Sequence, residues 1–333
     1  MAFPTRYRTT AVAVSFAIRV FIVREPIPFE EPISYYNWPV GHVLLIFIDG
    51  LGLGVSDYAC NPLARFSPRV LNCFADRLGP LPRNGACLPI DACLNVPGVP
   101  QSATGQTTLF TGVNAADLLG QHLAGFPNQE LKDLLRRESL VSRLKKESYS
   151  VNFANTYTPG FFKERPRWVS ATTAMCEGAG LRLNTLDDLL ARRSLYMDFT
   201  NRLLSRGGHQ VPIWSATEAA EVLVRQATEY DLCFYEYFLS DLAGHRGTPA
   251  ENEKVLSELD EFLFHVVSGM ELDKGSLVIT SDHGNIEDSC LPGHTMNDVP
   301  GLFWGPIRDQ LDGMHRLDLT QVAPMIETCI RER

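Results

Sequence analysis

The chain has 333 residues, 45% of them apolar and 21% charged, and a formal net charge of −9. This is the composition of a soluble globular protein with enough chain to bury a large core. No basic field is available to neutralise phosphates, which excludes nucleic acid as a partner, although an acidic protein still binds anions where metal ions supply the positive charge.

Residues 1–40 read as an N-terminal extension and linker. Arg6 and Arg8 precede an apolar run that Arg19 interrupts, and a proline-rich stretch follows. The run is too short and too broken for stable membrane insertion. Its faint signal-peptide character leaves export open beside a cytoplasmic default. The eight cysteines are scattered without zinc-finger spacing, so reduced thiols in a reducing compartment are expected; Cys87 and Cys93 could pair in principle, but nothing asks for it.

The domain is expected over 41–333. It opens with a continuous apolar run at 43–48, the pattern of a strand buried on both faces, which ends in Asp49 and a glycine-rich turn. Gly50, Gly52 and Gly54 lack dinucleotide-fingerprint spacing and read as close backbone packing. Next comes a Ser/Thr/Gly-rich segment at 97–112. Pro100 fixes the chain, and Ser102 and Thr104 precede a helix expected from about 105 to 110. A helix over 128–146 leads to a strand at 151–154. Residues 156–197, with Pro159, Pro166, Gly178 and Gly180, read as a loop-rich, lid-like insertion. Its basic stretch Lys163, Arg165 and Arg167 is a candidate holder of a substrate's distal part.

A helix over 216–227 then precedes a strand at 232–237, followed by Asp241 and His245. A long helix starts at Pro249, with Thr248 as cap and Glu251 completing a capping box. A strand at 277–280 ends in Asp282 and His283. His294 stands just ahead of a short strand at 302–304. Strands alternating with helices predict an α/β fold: a doubly wound, mostly parallel sheet with helices on both faces.

In such sheets ligands sit beyond the carboxyl ends of the strands. There the chain delivers Asp49, Asp241, Asp282, His245, His283 and His294. Carboxylates and imidazoles together suit Mn²⁺, Zn²⁺ or Fe²⁺. Asp241 and His245 are one helical turn apart. Asp282 and His283 converge on one ion only if the chain turns, which Gly284 permits. A hydroxyl at a helix N-terminus, Ser102 or Thr104, is a candidate nucleophile, since the partial field there favours its alkoxide; helix capping is the competing role for either.

The motifs "IDGLG", "PQSATGQ", "SDLAGH", "TSDHGN" and "GHTMNDVP", in this order, resemble the alkaline phosphatase superfamily, nearest the branch of cofactor-independent phosphoglycerate mutase and phosphopentomutase. The resemblance covers 42–112 and 231–330. It implies Asp49, Ser102, Asp282 and His283 on one metal, with Ser102 the nucleophile, and Asp241, His245 and His294 on a second. It implies two divalent ions, Mn²⁺ or Zn²⁺, and phosphoryl transfer through a phosphoserine on a small phosphorylated substrate. Asn285, Thr295, Thr104 and Gln106 are expected to support the ligands. The mutases carry a histidine where Gln106 stands, and a large arginine-bearing lid has no room here. Both departures favour a phosphatase, with a phosphomutase, a phosphodiesterase and an inactive binding protein as alternatives. The sulfatase branch is disfavoured, because the Pro and Arg of its nucleophile motif are missing after Ser102.

Overall fold

The structure, a computed structural model, describes residues 41–332; the extension at 1–40 lies outside them. Seven strands form the main sheet: β1 (His42–Ile48), β2 (Ala86–Asp91), β3 (Val151–Phe153), β4 (Leu232–Tyr237), β5 (Gly275–Thr280), β6 (Val299–Trp304) and β7 (Leu317–Asp318), in the order β7-β2-β6-β5-β1-β4-β3. β1 runs parallel to β4 and β5, and β4 runs parallel to β3. β6 is antiparallel to both its neighbours, and β7 is parallel to β2, so β6 is the one reversed strand of a mostly parallel sheet.

The apolar run at 43–48 is buried at every position, as a strand covered on both faces must be. Val43, Leu45 and Phe47 point into one core. There they meet α1 (Ser102–Thr111) through Leu109 and Phe110, and the C-terminal helix Leu319–Arg331 through Val322 and Ile326. Leu44, Ile46 and Ile48 are equally buried on the other side of the strand. Phe47 and Phe110 meet edge to face at 5.5 Å.

Several expected boundaries move. α1 starts at Ser102, not near 105, with Gln101 as its cap residue. Ser102 therefore occupies the first helical turn and is not the cap. The helix expected over 128–146 is two: α2 (Gln129–Glu138) and α3 (Leu140–Lys146). Ser139 leaves helical backbone between them, and its hydroxyl accepts from Ser142 N to cap the second. Residues 156–197 hold more regular structure than their Pro and Gly content predicts. Thr156–Tyr157 pairs with Asn184–Thr185, and α4 (Ala171–Gly178) buries Met175 and Cys176 in the main core.

α5 (Ala216–Glu229), α6 (Leu239–Arg246) and α7 (Pro249–Gly269) complete the set that positions the site. The capping box of Thr248 and Glu251 is present, and Leu256, Leu259, Phe262, Leu263, Val266 and Val267 form the buried stripe of α7. Among the described residues no helix is long and apolar enough to cross a membrane.

The cysteine expectation is overturned at one pair. Cys60 and Cys290 form a disulfide across 230 residues of sequence, while Cys87 and Cys93 stay free. Sequence separation hid this pair; the fold brings the loops after β1 and β5 side by side. A disulfide of this kind persists in oxidising surroundings, so the cysteines no longer argue for a reducing compartment.

Candidate active site

The register of the central strands sets the site. Ile48 pairs with Tyr237, and Phe47 pairs with Thr280, so β1, β4 and β5 end level with one another. The residues that follow each strand are thereby delivered to one edge of the sheet. Hydrogen bonds lock the three loops together. Ser240 Oγ donates to Asp49 O at 2.6 Å, Leu51 N to Ser281 Oγ at 2.9 Å, and Gly50 N to Asp282 Oδ1 at 3.3 Å.

Around this edge the structure brings together the residues singled out in the sequence. His283 Nε2 lies 2.9 Å from Ser102 Oγ, 3.3 Å from Asp49 Oδ1 and 3.6 Å from Asp282 Oδ2. On the adjoining side, His245 Nε2 is 3.1 Å from His294 Nε2, and the two lie 3.4 and 3.5 Å from Asp241 Oδ1. The rings of His283 and His294 stack at 3.7 Å, which joins the two halves. Among the described residues, two triplets here have ligand atoms close enough to share an ion: Asp49, Asp282 and His283; and Asp241, His283 and His294. A third triplet, Cys60, Asp288 and Cys290, has its sulfurs committed to the disulfide.

The donor set fits divalent cations. Asp49 Oδ1 and Asp282 Oδ2 are buried and receive no hydrogen bond. Buried carboxylate oxygens left bare are costly unless a cation meets them. The two histidines behind them are oriented through their other ring nitrogen. His294 Nδ1 lies 2.9 Å from Pro100 O, and His283 Nδ1 lies 3.3 Å from Gly284 O. A carbonyl only accepts, so each Nδ1 carries the proton and each Nε2 is turned to the centre.

The buried carboxylates and imidazoles of the cluster perturb one another strongly. Burial, with the nearby charge of Asp282, pushes the Asp49 carboxyl up to about 8. Burial also raises Asp282. Burial alone would lower His283, but Asp282, Asp49 and Asp241 outweigh it and hold the ring up at about 10. Asp241, which burial would raise, is kept at about 2 by His294, His283 and Asn285.

The supporting residues divide. Gln106 donates to Asp49 Oδ2 at 3.2 Å, and Asn285 Nδ2 donates to Asp241 Oδ1 at 2.7 Å. Thr104 faces away: its hydroxyl donates to Gln101 O and accepts from Leu123 N, so it braces the start of α1 and is not within reach of the cluster. Thr295 acts one step further out, through Glu287. Lys163, Arg165 and Arg167 do not line the cavity at the cluster, which holds about 370 Å³. Arg165 pairs with Glu177, and Arg167 lies over the Trp168 ring.

Two carboxylates went unremarked in the sequence. Glu287 is 1% exposed and accepts from Gly52 N at 2.9 Å, Asn285 N at 2.7 Å, Thr295 Oγ1 at 2.5 Å and Asn297 Nδ2 at 3.0 Å. It ties the loops of Asp49, His283 and His294 to one another. It also explains two glycines. A Cβ on Gly52 would lie 2.1 Å from Glu287 Oε1, and one on Gly284 would lie 2.2 Å from Thr295 Oγ1 and 2.3 Å from Glu287 Oε1. Gly284 is thus required by crowding, and its φ is not positive. Glu236, at the end of β4, lines the cavity. Burial pushes it up to about 7 against a 2.7 Å hydrogen bond from Thr172. A single acid among aromatics in a buried strand was the available signal for it.

Comparison with known proteins follows the same division of the chain. Residues 207–331 match the family described as the Metalloenzyme superfamily, a stretch that contains Asp241, His245, Asp282, His283 and His294 but neither Asp49 nor Ser102. A 100-residue stretch is 32% identical to the 2,3-bisphosphoglycerate-independent phosphoglycerate mutase of Desulforudis audaxviator, covering 28% of this chain and 20% of that protein. A 125-residue stretch is 33% identical to the mutase of the same name from Ruegeria pomeroyi, covering 34% of this chain and 24% of that one. The chain thus aligns with no more than about a quarter of the length of these relatives.

Two solved structures share the fold over most of the chain. The PH0037 protein from Pyrococcus horikoshii gives a TM-score of 0.52 at 13% identity, covering 89% of this chain and 98% of that one. A cold-active alkaline phosphatase from a psychrophilic Shewanella sp. gives 0.50 at 12% identity, covering 87% and 99%.

Proposed function

We propose that this chain, a metalloenzyme of the alkaline phosphatase superfamily on the phosphoglycerate mutase side, transfers a phosphoryl group from a small phosphoester to Ser102 and then to water. The observation that carries the reading is the placing of Ser102. Its hydroxyl sits in the first turn of a ten-residue helix, 2.9 Å from His283, beside two buried carboxylates with bare oxygens.

Asp49, Ser102, Asp282 and His283 would hold one divalent ion, and Asp241, His245 and His294 a second, with Mn²⁺ or Zn²⁺ suiting the donors. Bound there, such ions supply positive charge to the transferring phosphoryl group and favour the ionised serine. The chain's own contribution is positional. The N-terminal end of α1 presents the Ser102 oxygen to the phosphorus and favours the negative charge that gathers there. Ser102 Oγ bonds to phosphorus as the ester oxygen leaves with its electron pair and takes up a proton. Water then attacks the phosphoserine, phosphate leaves, and Ser102 recovers its proton. Gln106 and Asn285 hold Asp49 and Asp241 in place meanwhile.

A phosphomutase is the second reading. It is favoured by the name that the relatives in the matched stretch carry. In that case the phosphoserine returns its phosphoryl group to a different hydroxyl of the substrate.

The test loads the protein with Mn²⁺ or Zn²⁺ and follows free phosphate, isomerised product and acid-stable phosphoserine over a panel of monoesters. Release of phosphate, with a phosphoserine that disappears in Ser102→Ala while metal content is unchanged, is the expected result. Full turnover by Ser102→Ala with its metal intact would refute the role of Ser102. Product isomers without free phosphate would move the assignment to the mutase.

A further inference from the structure

Beside the metal-site cavity lies a second chamber of about 230 Å³. Ser170, Glu236 and Phe238 line both, so the two spaces share a wall. Together they fall in the size range of small-molecule sites. The chamber's apolar side is aromatic: Phe153 and Phe161 flank Tyr157 at 6.3 and 4.6 Å.

Its polar side includes Tyr157, Ser170, Thr173 and Glu236, linked to one another by hydrogen bonds that pass through the fully buried Thr172 behind the wall. Tyr157 OH meets Thr173 Oγ1 at 2.7 Å, Thr173 meets Ser170 Oγ at 2.9 Å, Ser170 meets Thr172 Oγ1 at 2.8 Å, and Thr172 donates to Glu236 Oε2 at 2.7 Å. Among the described residues, no lysine, arginine or histidine lines the chamber or the neighbouring cavity. Among the described residues, Glu236 is the one ionisable carboxyl on the chamber wall. A second anionic group on a substrate would find no cation here and would face that acid, at the full cost of losing its water. A ring with neutral hydroxyls would find flat faces to stack on and partners that both donate and accept.

We propose that this chamber receives the alcohol part of the phosphoester, and that this part is a neutral, hydroxyl-bearing ring of the sugar or nucleoside class without a second acidic group. The proposal rests on the phosphoryl-transfer reading above and adds the substrate class to it.

The test compares kcat/KM of the metal-loaded full chain on ribose 5-phosphate and uridine 5′-monophosphate with that on 3-phosphoglycerate and on methyl phosphate, which has no distal part. The ring esters are expected to lead both by at least about tenfold, the ratio that about 1.4 kcal/mol of differential binding produces. Two variants read the chamber itself. Tyr157→Ala should raise KM for the ring esters and leave inhibition by inorganic phosphate unchanged. Thr158→Lys, at a chamber-lining position whose hydroxyl caps nothing, should shift the preference toward 3-phosphoglycerate by about tenfold.

Equal turnover of methyl phosphate and the ring esters, or 3-phosphoglycerate as the preferred substrate, would overturn the chamber assignment and leave the phosphatase reading standing. Absence of phosphate release and of phosphoserine with every ester would overturn that reading, and this one with it.

Discussion

Glu287 offers the sharpest test of how the site is held. Its carboxylate is 1% exposed and accepts from two backbone amides, Gly52 and Asn285, and from Thr295 and Asn297. Glu287→Ala removes the acceptor and leaves these donors facing one another in a space closed to water. Hydrogen bonds to a charged acceptor are worth about 1.5–3 kcal/mol each, but the losses overlap and partial relaxation recovers some, so we expect about 3–5 kcal/mol of destabilisation. That is a fall of roughly 10 °C in Tm for a unit of this size.

The loss should also reach the metal centre. The Asn285 amide bonded to Glu287 belongs to the residue whose side chain holds Asp241. Freeing it should weaken divalent-metal binding by about 10–100-fold, the usual effect of losing a group that orients a ligand. Glu287→Gln is the control. Its amide oxygen can serve Gly52 and Asn285 while its NH₂ group donates to the Thr295 hydroxyl, so only the Asn297 bond is lost and about 1–2 kcal/mol is expected. Thermal and urea unfolding of the metal-free proteins give the first number, and calorimetric titration with Mn²⁺ gives the second. An Ala variant within about 1 kcal/mol of the parent would refute the buried-acceptor argument. A destabilised variant with unaltered metal affinity would refute the coupling.

Four further outcomes follow from the structure. In the metal-free protein Asp49, at about 8, and His283, at about 10, both lie above their unfolded values. Each therefore adds stability at low pH that is lost as pH rises through the folded-state value, and Tm should fall between pH 6.5 and 9, measured by calorimetry with chelator present. Metal must displace those protons, so its affinity should rise by about tenfold per pH unit for each proton released over that range, and a pH-independent Kd would contradict the ligand assignment. Cys60→Ser opens a 230-residue loop and should cost roughly 3–5 kcal/mol in urea unfolding; equal midpoints with and without reductant would show that the bond contributes nothing. Gly52→Ala and Gly284→Ala each drive a methyl into Glu287 and should reproduce the metal-affinity loss of Glu287→Ala, while Gly120→Ala, where a Cβ meets nothing within 4 Å but φ is +68°, should lose stability alone.

Much of the site was legible because it lies at strand ends. An apolar run that stops at Asp49 or at Asp282 marks both the strand and what the sheet edge presents, and the Asp241–His245 spacing marks one turn of helix. The strands β2 and β7 and the helix Leu319–Arg331 were not legible as elements. β2 alternates through Pro89 and β7 is two residues long, so neither gives the continuous apolar signal that β1 gives. Residues 156–197 misled by composition: their Pro and Gly residues punctuate short elements that tertiary packing stabilises, with Met175 and Cys176 as anchors.

By itself the sequence pointed to the side chains that the fold brings together at one sheet edge, since ligand type, strand ends and helical spacing are local properties. It determined the α/β class for the same reason. Only the tertiary structure decided how those side chains are held. The Gly52 bond into Glu287, the Cys60–Cys290 link, the Pro100 carbonyl behind His294, and the chamber beside Glu236 join residues that are far apart in the chain. Such contacts leave no periodicity in sequence. They exist once strand register sets β1, β4 and β5 level and brings the loops that follow them within hydrogen-bonding distance.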